Sequence, residues 1–207
     1  MNGAIAQARI YAGYRKAAAK VGLPYAQYRA ASPITPIAAG NLLGTIDCVF
    51  APTPAFTSPH RFKIPARMVF ADGAAMAQRD ILVGPYGTFY VADMQPLVPP
   101  QVLKCNESVS ITRLTYSGTT QVLTPVATAM PAFSQLKKVD QKPVSGIGGA
   151  STASTALGEF YLFLPIAVGV IRQGDIVTNQ AGVAYTLDTI DNTEIGVSVT
   201  MHQAESV

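Results

Sequence analysis

The most constraining feature is the rhythm of the chain from Arg67 onward. Short β-prone runs alternate with turn residues, and no run is long enough for a buried helix. Ser108-Val-Ser-Ile-Thr alternates strictly between polar and apolar, the period of a strand with one face in a core and one in water. Runs of similar length recur at Met68–Phe70, Asp80–Val83, Gly87–Ala92, Val102–Cys105 and Glu107–Leu114. Further runs lie near Thr120–Val126 and Leu136–Val139. A last block predicts strands at 159–164, 166–171, 175–178, 183–190 and 195–201. Many short strands at this spacing predict a mainly β protein, built as one or two small β-barrels or sandwiches.

The front of the chain breaks that rhythm. Residues 3–21 are Ala-rich, with Ile5, Ala8, Tyr11, Tyr14, Ala18 and Val21 at helical spacing. Arg15, Lys16 and Lys20 lie toward the end of this segment, where cations complement the helix dipole, and Gly22 and Pro24 stop it. The helix packs either on its own domain or on a neighbouring copy. Residues 24–65 carry seven prolines, which remove ladder donors and favour extended backbone. This stretch is read as a Pro-rich extended arm, with short strands at Gly44–Phe50 and Phe62–Phe70. The expected order is a helix (1–23), the arm (24–65), a first β-domain (66–142), a small-residue linker (143–158) and a C-terminal hairpin block (159–207). That block is either a second small barrel or the completion of the first. The linker centres on Ser145-Gly-Ile-Gly-Gly-Ala-Ser-Thr-Ala-Ser-Thr.

An internal repeat is visible. Asp80-Ile-Leu-Val-Gly-Pro-Tyr-Gly-Thr-Phe-Tyr-Val and Asp175-Ile-Val-Thr-Asn-Gln-Ala-Gly-Val-Ala-Tyr-Thr share Asp, Ile, Gly and Tyr at matching offsets. Each reads as strand, turn, strand. Gly87 and Gly182 suit turn positions of positive φ, Asp80 and Asp175 bond turn backbone, and Tyr90 and Tyr185 lie on half-buried strands. A duplication and a chance match between two hairpins both fit.

Composition bears on the surface. Hydrophobic residues are 49% of the 207, but charged residues only 13%, about half the roughly 25% of ordinary soluble domains. Disorder, which needs low hydrophobicity and high charge, is excluded. No apolar run reaches the roughly 18 residues of a membrane helix, and the start lacks the basic-then-apolar pattern of a secretory signal. Residues 1–79 hold nine basic groups and two acids; residues 80–207 hold six and ten. The basic front could bind nucleic acid non-specifically, or dock on the acidic part of a neighbouring copy. Its bases are dispersed rather than in runs, which favours the protein partner. Candidate subunit-interface residues are Tyr11, Tyr14, Arg15, Lys16, Lys20, Tyr25, Tyr28 and Arg29.

Catalytic and metal patterns are missing. Cys48, Cys105, His60 and His202 show no zinc spacing, and buried free thiols are the simpler reading of the two cysteines. No GxSxG elbow accompanies either histidine. Gly146-Ile-Gly-Gly lacks the Lys-Ser/Thr of a P-loop. Asp188, Asp191 and Glu194 read as a polar turn rather than paired catalytic or calcium-binding carboxylates. Asn106-Glu-Ser is a sequon with no secretory signal before it. The expectation is no enzyme, no catalytic or metal residue and no cofactor.

Three stretches carry a resemblance. The run from Ile10 to Arg29 resembles the start of structural proteins encoded in tailed-bacteriophage and prophage genomes. Asp80–Arg113, with Gln95-Pro-Leu-Val-Pro and Lys104-Cys-Asn, is similar to the middle of the same proteins. Gly174-Asp-Ile-Val and Ala184-Tyr-Thr-Leu-Asp-Thr-Ile are similar to head-closure, or head–tail joining, proteins of the phage neck. The resemblance implies a non-enzymatic virion protein, assembled in the bacterial host cytoplasm, that forms a homo-oligomeric ring or collar against portal, adaptor or tail proteins. It implies no catalytic residues. A tail-tube or baseplate component is the alternative, and a carbohydrate-binding tail appendage a weaker one, since the chain has no Trp and only 8% aromatic residues.

Overall fold

The computed structural model describes residues 3–52, 66–136 and 159–204. The chain is mainly β, with one N-terminal helix. Helix α1 spans Gly3–Val21, as the spacing predicts. Twelve strands follow: β1 (Leu23–Tyr28), β2 (Leu42–Pro52), β3 (Ala66–Phe70), β4 (Ile81–Gly84), β5 (Gly87–Asp93), β6 (Gln101–Lys104), β7 (Glu107–Ser117), β8 (Thr120–Leu136), β9 (Glu159–Leu164), β10 (Ile176–Asn179), β11 (Ala184–Thr193) and β12 (Gly196–Gln203).

These strands close into two six-stranded barrels. The first runs β1-β2-β3-β6-β5-β4, and the second β7-β8-β9-β12-β11-β10. Adding six to each strand of the first barrel generates the second, so the repeat seen in the hairpins extends to a whole barrel. Each barrel is a continuous piece of chain, and the boundary falls at Cys105–Asn106. It therefore lies well before the expected one at 142: β7 and β8 belong to the second barrel, not the first. The expected linker at 143–158 lies outside the described residues, as does the 53–65 part of the Pro-rich stretch.

The rest of that stretch divides in two. Residues 23–28 and 42–52 are staves of the first barrel rather than free arm. Pro24 is tolerated because β4 pairs with β1 only over 26–28, and Pro52 ends β2. Between them, residues 29–41 leave the first barrel and reach the second. Thr35 N–H donates to the Thr128 carbonyl at 3.0 Å, and Thr128 N–H to the Pro33 carbonyl at 3.2 Å. Thr128 is free to do this because β8 is bulged there, with Ala129 at φ +50. The extended segment thus crosses between barrels of one chain.

Two further expectations change. The strand near 120–126 runs on as one strand, β8, to Leu136, and 137–139 lie outside the described residues. The strand expected at 166–171 is a 3-10 turn over Ile166–Val168, entered from Pro165 and left through Gly169 at φ +77.

Each barrel has its own interior. In the first, Phe50 and Phe89 stack at 4.2 Å with Tyr25 set edge-on to both. In the second, Val109, Ile111, Leu162, Val177 and Leu187 are among the buried side chains. A third buried cluster joins the barrels: Ile81, Tyr90, Leu103 and Cys105 of the first meet Phe163 of the second. Gln78 Nε2 also spans the junction, donating to the Ala92 and Glu194 carbonyls at 2.7 and 2.5 Å.

Candidate functional site: a repeated clamp and an open ribbon

One polar constellation occurs twice. Asp80 and Asp175 each precede a barrel strand and are 0% and 2% exposed. A buried carboxylate needs charged and hydrogen-bonded partners, and both find the same ones. Arg29 lies one residue beyond the last β1–β4 pair, Tyr28 with Ile81; Arg113 lies one beyond Thr112 with Ile176. That register sets each arginine opposite its aspartate. Arg29 Nε and Nη2 bond the two Asp80 oxygens at 2.6 and 2.8 Å, and Arg113 bonds Asp175 at 2.8 and 2.8 Å. Each fork also donates to a carbonyl five residues before the aspartate, Ala75 or Val170. Each aspartate accepts the N–H three residues upstream, Ala77 or Arg172, at 2.8 and 2.7 Å. The hydrogen bonds they donate to the carboxylates raise the pKa of both arginines, so the forks stay charged. The clamps bind the loop ahead of each hairpin and have no open coordination position. Their role is structural.

The clamps sort the candidate residues. Arg29 is a barrel clamp. Tyr25 is fully buried in the first barrel, where its hydroxyl accepts the Tyr86 N–H at 3.1 Å, so it is not available to a neighbour. Tyr28 packs at the inter-barrel cluster. Tyr14 meets Phe70 edge-on at 5.1 Å, and Tyr11 covers Gly73, so α1 lies on its own barrel. Arg15 reaches Asp72 at 3.5 Å. Lys16 and Lys20 are exposed, with Arg9, on the outer side of α1.

The hairpin repeat is right at the aspartates and out of frame at the tyrosines. Pro85-Tyr86 closes the first turn between Gly84 and Gly87, whereas Gln180-Ala181-Gly182 closes the second between Asn179 and Val183. That one-residue insertion pairs Leu82 with Phe89 in the first hairpin and Val177 with Tyr185 in the second. Tyr185 is therefore the counterpart of Phe89, inside its barrel. Tyr90 faces the other way, into the junction. Gly87 and Gly182, at φ +106 and +78, serve turns of different length.

Among the described residues, no three His, Cys, Asp or Glu side chains stand together as a metal would require. His202 is in β12, with Nδ1 at 2.7 Å from Asp188. His60 lies outside the described residues. Cys48 and Cys105 are buried, and burial pushes both thiols up to about 12.

What sequence reading missed is on the outside. β10 pairs with β7 only as far as Thr112, and β9 pairs with β8 only from Phe133 onward. Between them the two long strands run on as a two-stranded ribbon, turned at Gly118 (φ +63). From Arg113 to the turn it extends roughly 15 Å past the ladder. Leu114 pairs with Leu123 and Tyr116 with Gln121, which puts Leu114, Tyr116 and Leu123 on one face. They are 41%, 68% and 57% exposed. No Asp, Glu, Lys or Arg occurs from 114 to 136, so the charged guards of an open strand edge are missing.

The second exterior feature is a cavity of about 340 Å³ between the start of α1 and the 94–97 loop, lined by Gly3, Ala4, Tyr11, Met94, Pro96 and Leu97. Gln7 also lines it. Its Oε1 accepts the Leu97 N–H, but its Nε2 is buried without a partner among the described residues. A further cavity of about 260 Å³ beneath α1, near Arg15, Asp47 and Asp72, is more polar.

No protein-family model matches the chain, and no curated protein or solved structure was found to be similar to it.

Proposed function

We propose that this chain is a non-enzymatic structural subunit of a bacteriophage virion, a homo-oligomeric ring or collar at the head–tail junction. The observation that carries the assembling role is the charge-free ribbon, which displays Leu114, Tyr116 and Leu123 to solvent on a chain only 13% charged. A subunit that covers such surface with other protein needs few charges, and lasting interfaces are more apolar than ordinary surface. The resemblance of Ile10–Arg29, Asp80–Arg113 and Gly174–Ile190 to phage structural and neck proteins supplies the virion setting. Portal, adaptor or tail proteins are the expected neighbours, and the exposed bases of α1 offer non-specific contact with packaged DNA.

The test is a phage genome from which this reading frame is deleted. DNA-filled heads without tails are the expected product, with the chain detected by mass spectrometry in wild-type particles. Heads with incomplete tails would move the subunit to the baseplate or tail tube. Normal particles, with the chain absent from purified wild-type virions, would refute the reading.

A further inference from the structure

An open apolar ribbon on the second barrel and an apolar cavity on the first are complementary in three respects. The first is shape. The ribbon ends in a projecting aromatic, Tyr116, two-thirds exposed, and the cavity between α1 and the 94–97 loop has room for an aromatic ring. The second is polarity. The cavity walls are mostly apolar, apart from the amides of Gln7 and Gln95, and the Gln7 Nε2 donor has no acceptor among the described residues. Buried donors in native proteins are paired almost without exception. Tyr116 offers an apolar body with an oxygen at its tip, and Gln121 Nε2 already donates to that oxygen at 3.1 Å.

The third is charge. The first-barrel half (1–105) has ten basic and four acidic side chains, and the second-barrel half (106–207) has five and eight. Arg9, Arg15, Lys16 and Lys20 stand exposed along α1, the helix whose start lines the cavity. Two halves of opposite sign on one chain favour head-to-tail contact between copies, the second barrel of one on the first barrel of the next.

We propose that the β7–β8 ribbon of one copy docks head-to-tail on a second copy, with Tyr116 entering the cavity between α1 and the 94–97 loop. Leu114 and Leu123 then cover the exposed rim at Leu97, Val98 and Ile5, which are 49%, 42% and 51% exposed. Such a contact uses different surfaces on the two partners, so it propagates and closes into a ring when the rotation allows. The inference rests on the reading of this chain as an assembling subunit, and names the surfaces through which copies join.

The experiment uses the full chain and two surface variants, with circular dichroism confirming that each is folded. Tyr116→Asp spoils the ribbon. Leu97→Asp spoils the cavity rim at a φ of +65, which Asp tolerates better than Leu. Wild type at about 100 µM should sediment as an oligomer, because standard interfaces have micromolar or tighter dissociation constants. Each variant alone should be monomeric. Tyr116→Ala, which loses a central aromatic, should weaken assembly roughly thirtyfold. Mixing the two aspartate variants should restore one good interface per pair, and hence stop at 1:1 dimers.

A monomeric wild type overturns the proposal, as does a Tyr116→Asp protein that still assembles. A Leu97→Asp protein that still assembles also overturns it, since a ribbon-to-ribbon contact behaves that way, as do variants that are each monomeric but fail to dimerise when mixed. The virion reading fails separately: a chain absent from particles that still assembles through ribbon and cavity supports the docking, while a virion chain that is monomeric in solution overturns it.

Discussion

At the scale of single residues, the two Arg–Asp clamps differ in a way that can be measured. Asp80 also accepts Gln27 Nε2 at 2.7 Å, whereas in the second barrel Ile111 occupies the position of Gln27. Arg29 is 43% exposed and Arg113 only 22%. Loss of the fork should therefore hurt the second barrel more. Arg113→Met keeps an aliphatic stem but leaves Asp175 with the Arg172 N–H, and should cost about 3 kcal/mol, the range for stripping one partner from a buried pair. Arg29→Met should cost about half as much, and urea unfolding at neutral pH will read both. The aspartates were legible from the hairpin repeat. Their arginines were not, because each lies 51 or 62 positions away in sequence and only the β1–β4 and β7–β10 registers bring them opposite.

The cysteines make a pH prediction. The ordinary thiol value is 9.0, and burial holds Cys48 and Cys105 at about 12. Below pH 9 both are protonated whether the chain is folded or not. Between 9 and 12 only the unfolded chain ionises, so stability that is fully present below 9 is lost as pH rises toward 12. The slope is at most about 1.4 kcal/mol per pH unit per thiol. Denaturant midpoints should be flat from pH 7 to 8.5 and fall above 9. Both thiols should resist alkylation at pH 8 until the protein is unfolded.

At the scale of elements, helix and barrel meet at one tight point. Gly22 N–H donates to the Ala18 carbonyl at 2.7 Å, and a Cβ on Gly22 would sit 2.5 Å from that oxygen and 3.2 Å from Cys48 N. Gly22→Ala should lift α1 off β2 at a cost of about 1–3 kcal/mol, seen as earlier proteolysis within 3–21 and an unchanged barrel. The helix itself was plain from its spacing and its Gly-Pro stop. Its seat on the first barrel was not, since tyrosines at helical spacing serve a home core and a foreign one equally. The Pro-rich stretch misled for a related reason: Pro24 and Pro52 are compatible with strands where the neighbouring ladder is absent. The ribbon is not legible because Thr120–Val126 and Leu136–Val139 read as separate short strands, which hides the overhang of β8.

At the scale of the whole molecule, the junction between barrels decides whether they behave as one body. Tyr90 and Phe163 are 1% and 5% exposed there. The Tyr90 hydroxyl lies 3.3 Å from where a Cβ on Gly196 would be, and that Cβ would come within 2.5 Å of the Leu164 carbonyl. Burial raises the Tyr90 phenol above its ordinary range. Truncating the ring should loosen the coupling: Tyr90→Ala is expected to cost about 3–5 kcal/mol and to split one calorimetric transition into two. A single sharp transition in that variant would mean that the 29–41 crossing, not the aromatic junction, holds the barrels together.

Because every barrel strand pairs only within its own consecutive stretch, 23–104 or 107–203, the order of synthesis matters. The first barrel has all six staves once β6 has left the ribosome, before any of β7 is needed. It can close while the remainder is still being translated. The 29–41 crossing then waits, with Pro33 and Thr35 unsatisfied, until β8 supplies Thr128. The late step of folding is thus the docking of a finished module onto a newly made one, rather than the threading of a strand.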